Sequence, residues 1–275
     1  MGTYINRGNN AFRMALNGEY VDKSGLIAVV NSTINTKQRF SCISRSRRFG
    51  KSLAIEMLTA YNDQSCDSRE LFVNLEIASH PSFVTHLNKY PVIYIDMTGF
   101  VTRFDGESIV FRMQEEIKED IRAAYPDIPV EADDDLMKYL VRIAATTGRR
   151  FILVIDEWDA ILREFGNGST AKEQFVNMLR RMFKDVSSEI FAAVYMTGIL
   201  PIKKYKTQSA LNNFIEYSMV DPGDMAAFFG FTKEEVKALA VKYKADYDEL
   251  ARWYDGYQIG DAASMFNPNS VIQAL

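Results

Sequence analysis

The chain has 275 residues, 47% of them apolar and 25% charged, and a formal net charge of −4. Such a composition excludes a disordered or fibrous chain and allows a sizeable buried core. The acidic balance excludes an overall basic field for nucleic acid or an anionic membrane, although Arg39, Arg45, Arg47 and Arg48 form a local basic patch.

In chain order, the first ten residues are polar and lack the apolar segment of a secretory signal. No apolar stretch approaches the ~20 residues that span a bilayer. The two cysteines, Cys42 in an apolar run and Cys66 in a polar loop, and the two histidines, His80 and His86, show no zinc-ligand spacing. A cytoplasmic protein with free thiols is expected.

Next come short, nearly all-apolar runs at Phe40–Ser44, Val92–Met97, Phe151–Asp156, Ile190–Thr197 and Phe214–Val220. Continuous rather than alternating apolar character predicts strands covered on both faces, as in a parallel sheet. Helical patterns separate them at Lys51–Tyr61, Glu107–Ala124, Asp134–Thr147 and Lys172–Asp185, with Ser169 or Thr170 placed to cap the last. This alternation predicts an α/β fold of right-handed crossovers. The acidic run Asp133–Asp135 reads as a helix start rather than a metal site. Beyond about residue 220 the pattern shifts to short helical pieces, Asp224–Phe229, Thr232–Tyr243 and Tyr247–Tyr254, with Thr232 and Glu235 in capping-box spacing. The division expected is a core over 1–220 and a small helical subdomain over 221–275. Asn267-Pro-Asn-Ser270 looks like another helix start, so close to Leu275 that the chain reads as cut from a longer protein.

The strand Phe40–Ser44 runs into Arg45-Ser-Arg-Arg-Phe-Gly-Lys-Ser52 and then the helical Leu53–Leu58. Gly50 allows a tight turn, and the unpartnered N–H groups of the helix start point at whatever sits there. Lys51 can reach the β- and γ-phosphates of a nucleotide, and the Ser52 hydroxyl can coordinate Mg²⁺. Against the phosphate-loop pattern G-x-x-x-x-G-K-[ST], Arg45 occupies the first glycine position, so only the second half matches. Gly-Lys-Ser alone is a weak signal, equally a surface loop with a helix start; the strand before it and the helix after it carry the inference.

Phe151–Ile155 ends in Asp156-Glu157. Carboxylates after five apolar residues are tolerable where they emerge at a strand end, which is where open parallel sheets bind ligands. Asp156 is then placed to hold the metal and Glu157 to direct the attacking water. Thr197, ending the next apolar run, is the candidate to sense the γ-phosphate. Asp96 reads as a polar neighbour, and Asp159 as a cap or supporting group.

Taken together, Tyr20–Ser24, Arg45–Ser52, Tyr90–Tyr94, Ile155–Asp159, Thr197–Ile199, Phe229–Thr232 and Trp253–Tyr257 resemble the bacterial AAA-ATPase-like family, whose members often carry a C-terminal PD-(D/E)XK nuclease-like domain. In that family an arginine commonly replaces the first loop glycine. The resemblance implies an ASCE-type P-loop NTPase sheet of order 5-1-4-3-2 and a helical lid. It implies ATP rather than GTP, held by Arg45, Ser46, Arg47, Arg48, Phe49, Gly50, Lys51, Ser52 and Leu53, with Tyr20 and Asp22 near the base. Trp253–Tyr257 is similar to a lid signature and reads first as an aromatic anchor between lid and core. No nuclease site is expected in this chain, because Glu116-Ile-Lys118 and Glu235-Val-Lys237 fall in helical patterns. The function expected is a Mg²⁺-dependent ATPase coupled to an effector domain. The alternatives are a nucleotide-held switch or interaction module with little hydrolysis, and a DNA-handling partner of a nuclease, which the acidic balance does not support. A homo-oligomer, with an arginine donated by a neighbouring subunit, stays open on the sequence.

Overall fold

The five apolar runs form one sheet in a computed structural model that describes residues 2–166, 168–185, 190–202, 211–259 and 263–275. The strands are β1 (Phe40–Ser44), β2 (Val92–Asp96), β3 (Phe151–Asp156), β4 (Phe191–Gly198) and β5 (Ile215–Tyr217). Their order is β2-β3-β4-β1-β5 with every pairing parallel, the expected 5-1-4-3-2 read from the opposite edge. Every residue of β1, β3 and β4 is buried, as continuous apolar runs require. Alternate β3 side chains serve opposite faces. Leu153 and Ile155 pack with the helices Ile109–Ala124, Leu136–Thr147 and Thr170–Arg180. Ile152 and Val154 pack on the side of the helices Gly25–Thr33 and Lys51–Asn62.

Element ends differ from the sequence reading where a side chain captures the backbone. The strand expected to Met97 stops at Asp96, because the Asp96 carboxylate accepts the Thr98 N–H and starts the helix Met97–Arg103. Asp105 accepts the N–H groups of Glu107 and Ser108, so the next helix begins at Ile109. Asp135 caps the helix Leu136–Thr147 by accepting the Lys138 N–H, while Asp134 pairs with Arg142. Ser169 caps Thr170–Arg180, which widens into a π turn through Asp185. The run Phe214–Val220 yields only the three-residue edge strand β5, with Val220 86% exposed.

The described residues from Phe231 onward gather around a small core of their own, including Phe231, Val236, Leu239, Leu250, Phe266 and Val271. The Thr232–Glu235 capping box forms and opens the helix Lys233–Tyr243, followed by the helix Tyr247–Tyr254. The region expected as a small helical subdomain also holds an antiparallel hairpin, β6 (Asp255–Ile259) with β7 (Ala263–Phe266). Its outer strand is held by Phe231, whose N–H and C=O pair with Phe266, a partner 35 residues away that no local pattern announces. Asn267 then caps the helix Pro268–Ala274. Both E-x-K triplets lie in helices, Ile109–Ala124 and Lys233–Tyr243. Among the described residues no helix is long and apolar enough to cross a membrane.

Candidate functional site

The carboxyl ends of β1, β3 and β4 converge on the start of the helix Lys51–Asn62. Gly50 precedes that helix at φ 83°, a left-handed conformation open to glycine at little cost. Arg48 shares this conformation at φ 67°, so the chain curls tightly before entering the helix. Among the described residues, none accepts from the N–H groups of Lys51, Ser52 and Leu53. These donors, with the helix dipole behind them, can hold an anion.

Lys51 is buried and arches back over the loop, its Nζ donating to the carbonyls of Arg45 (3.0 Å) and Ser46 (2.9 Å). Burial holds its pKa below the usual lysine value, opposed by the nearby carboxylates of Glu157, Asp156 and Asp159. An anion arriving at the loop would relieve that penalty. The Ser52 hydroxyl donates to Asp156 Oδ2 at 2.7 Å. The other Asp156 oxygen accepts from the Thr197 hydroxyl and from the Glu157 N–H at 3.0 Å. A carboxylate at the end of β3 thus links the helix start to the end of β4, and all three groups come from strands or a helix rather than from mobile loops.

Glu157 follows in a left-handed conformation, φ 49°, unusual for a residue with a side chain. The turn brings its carboxylate to Thr98 Oγ1 (3.3 Å) and the Arg163 guanidinium. Asp159 is fully buried; it accepts the N–H groups of Ile199 and Leu200 and pairs with Arg163 Nε at 3.2 Å. Burial raises its pKa, and the Arg163 charge and the backbone donors oppose the rise. Asp96 is exposed and occupied as a helix cap beside Asp156 on the sheet.

A cavity of ≈ 580 Å³ opens above the loop. It is lined by Arg47 to Ala54, Glu157, Tyr20 and Met57 from the core, and by Phe231, Asn269 and Ile272 from the C-terminal region. Two of the expected site residues face elsewhere. The Arg45 side chain is fully buried, donating to the carbonyls of Ser44 (3.1 Å) and Tyr217 (2.9 Å) at the β5 edge. Burial lowers its pKa to about 10. The Asp22 carboxylate accepts the N–H groups of Ser24 and Glu76. Ser46 contributes its carbonyl to Lys51. Tyr257 packs edge-on against Phe49 of the loop (4.8 Å), whereas Trp253 is 72% exposed, so only one end of that aromatic signature is an anchor.

A family model described as Predicted AAA-ATPase matches residues 11–207. The chain belongs to that family. The matched span of this Predicted AAA-ATPase contains the whole Lys51–Ser52–Asp156–Glu157–Thr197 cluster. Among solved structures, Cdc6p from Pyrobaculum aerophilum is similar with a TM-score of 0.38 and 12% identity, over 80% of this chain and 47% of that one. The Aeropyrum pernix Orc1 protein in complex with DNA is similar with a TM-score of 0.44 and 12% identity, over 89% and 55%. The chain thus spans about half the length of each of these two proteins. A search of curated proteins finds no match.

Thr98, Arg163 and Asn269 were not singled out by sequence. Arg163 is four residues beyond Asp159, a helical ion-pair spacing that was legible. Its contact with Glu157 depends on the left-handed turn and was not. Asn269 lines the cavity with its Nδ2 buried and unpartnered among the described residues.

Proposed function

We propose that this chain binds ATP with Mg²⁺ and hydrolyses it, passing the resulting loop movement to residues 231–275 and to any effector attached beyond them. One observation carries the reading: the cavity over the free N–H groups at the helix start is shared by Lys51, Ser52 and Glu157. The donor set suits magnesium, since a hydroxyl and a buried carboxylate meet at 2.7 Å beside the phosphate-binding turn, offering the hard oxygen ligands that Mg²⁺ prefers. When bound, Mg²⁺ would neutralise charge on the phosphates.

In this reading the N–H groups of the first turn hold the phosphates. Lys51 exchanges the Arg45 and Ser46 carbonyls for phosphate oxygens, and Arg47 and Arg48 add charge from the rim. Ser52 and Asp156 hold the metal, Glu157 directs water at the γ-phosphate, and Thr197 senses its presence through the shared Asp156. The apolar end near Tyr20, Met57 and Phe231 receives the nucleoside. The choice of ATP over GTP rests on the family. Coupling is supported by two contacts between the phosphate loop and the C-terminal region, Tyr257 on Phe49 and Asn267 Nδ2 to the Arg47 carbonyl at 3.4 Å.

Phosphate release from ATP and GTP, combined with direct nucleotide titration, tests the assignment. Lys51→Ala should abolish binding. Glu157→Gln should bind normally and turn over at least a hundredfold more slowly, in line with the 10²–10⁴ of a positioned acid–base group. Wild-type turnover by Glu157→Gln would remove Glu157 from the chemistry.

A further inference from the structure

A water-directing carboxylate has two requirements that pull apart. One part must be held still, and one oxygen must stay open to water. Glu157 meets both. Its Oε2 accepts from Arg163 Nη2 and Thr98 Oγ1, while among the described residues nothing donates to Oε1. Arg163 also forms an ion pair with the fully buried Asp159, whose Oδ2 lies 3.2 Å from its Nε without hydrogen-bond alignment. Asp159 in turn is fixed by the N–H groups of Ile199 and Leu200, immediately after Thr197 and Gly198. The guanidinium therefore lies between two carboxylates with different duties, ion-paired to the one anchored in the protein and hydrogen-bonded to the one facing the cavity.

We propose that Arg163 is the positioning residue for Glu157, clamping Oε2 so that Oε1 faces the attacking water. This rests on the reading of Glu157 as the water-directing base. Arg163 does not line the cavity, so it acts through Glu157 and not on the nucleotide. The chain Ile199–Asp159–Arg163–Glu157 also ties the aim of the carboxylate to the segment just beyond Thr197. A freely rotating glutamate would sample many orientations, and misplacement of about 1 Å can cost roughly 10²-fold in rate.

The test is steady-state ATP turnover with the whole 275-residue chain, together with nucleotide titration and thermal melting. Arg163→Met should lower kcat about 10- to 100-fold while KM and the nucleotide Kd stay within about threefold. Arg163→Lys should recover only part of the loss, because an ammonium cannot reproduce a planar guanidinium between two carboxylates. Thr98→Val leaves the Asp159 pair untouched and should lower kcat by about three- to tenfold, so it carries the test if Arg163→Met does not fold. Unchanged kcat in Arg163→Met, or in Thr98→Val where only that variant folds, overturns the proposal. So does a loss of nucleotide affinity parallel to the loss of kcat, which would make Arg163 a direct nucleotide contact. Undiminished turnover by Glu157→Gln is a different failure: it removes the base, and the positioning role falls with it.

Discussion

Gly198 sits where β4 meets the turn after β3, and it shows how little room this junction has. A Cβ there would lie 2.7 Å from Trp158 Nε1 and 2.9 Å from Asp159 Oδ1, both side chains fully buried. Gly198→Ala should cost about 1–3 kcal/mol, read as a lower denaturant midpoint with unchanged m-value. The loop arginines divide in the same residue-by-residue way. The Arg45 guanidinium faces the β5 edge, whereas Arg47 and Arg48 are exposed at the cavity. Arg47→Met should weaken nucleotide binding about tenfold, equivalent to about 1.4 kcal/mol, and Arg45→Met should change it less than about threefold; titration of both variants checks the contrast. Lys51, Ser52 and Asp156 were legible because each sits at a junction that sequence marks, a glycine before a helix or an apolar run ending in acid. The orientation of Arg45 was not, since its partner carbonyl belongs to Tyr217, 172 residues away.

At the scale of elements, one carboxylate both caps a helix and ties the N-terminal segment to the C-terminal region. Glu235 closes its own capping box by accepting the Thr232 N–H, and it also accepts from Lys23, whose ammonium reaches the Ala227 carbonyl as well. Burial lowers the Lys23 pKa, and Glu235 is the chief opposing influence. Glu235→Ala would remove a helix cap and leave a largely buried ammonium without its carboxylate. The expected cost is about 1–3 kcal/mol, concentrated in this region. Hydrogen exchange should show faster opening of Lys233–Tyr243 with no change in β3. The capping box was readable because its two members are three residues apart. The second partner was not, because nothing in the local pattern joins residue 23 to residue 235.

For the whole molecule, the cavity is bounded by elements from both ends of the chain. Tyr20 approaches from one side, Asn269 and Ile272 from the other, and the phosphate loop forms the floor. Besides Lys23–Glu235, the pairing of Glu19 with Lys242 closes the outer rim. A ligand filling this space should bridge the two cores and stabilise both together. Mg²⁺–ATP at about a hundred times its Kd adds about 2.7 kcal/mol, which for a chain of this size raises Tm by roughly 5 °C. Calorimetry should show that rise in the wild type and none in Lys51→Ala. The sheet itself needed no tertiary information to be recognised as parallel, since nearly all-apolar runs separated by helical patterns allow few other arrangements.

Sequence by itself determined the elements whose information is local: the buried strands, the capped helices, the glycine turn and the acidic strand end. Periodicity, capping and backbone permissiveness act over a few residues, so they can be read there. Only the tertiary structure decided which groups meet. The β6–β7 hairpin held by Phe231, the turning of Arg45 away from the cavity, and the Thr98–Glu157–Arg163–Asp159 network all join residues through space. Such contacts depend on how the sheet stacks its strand ends and how one left-handed residue aims its side chain, and those are properties of the packed molecule.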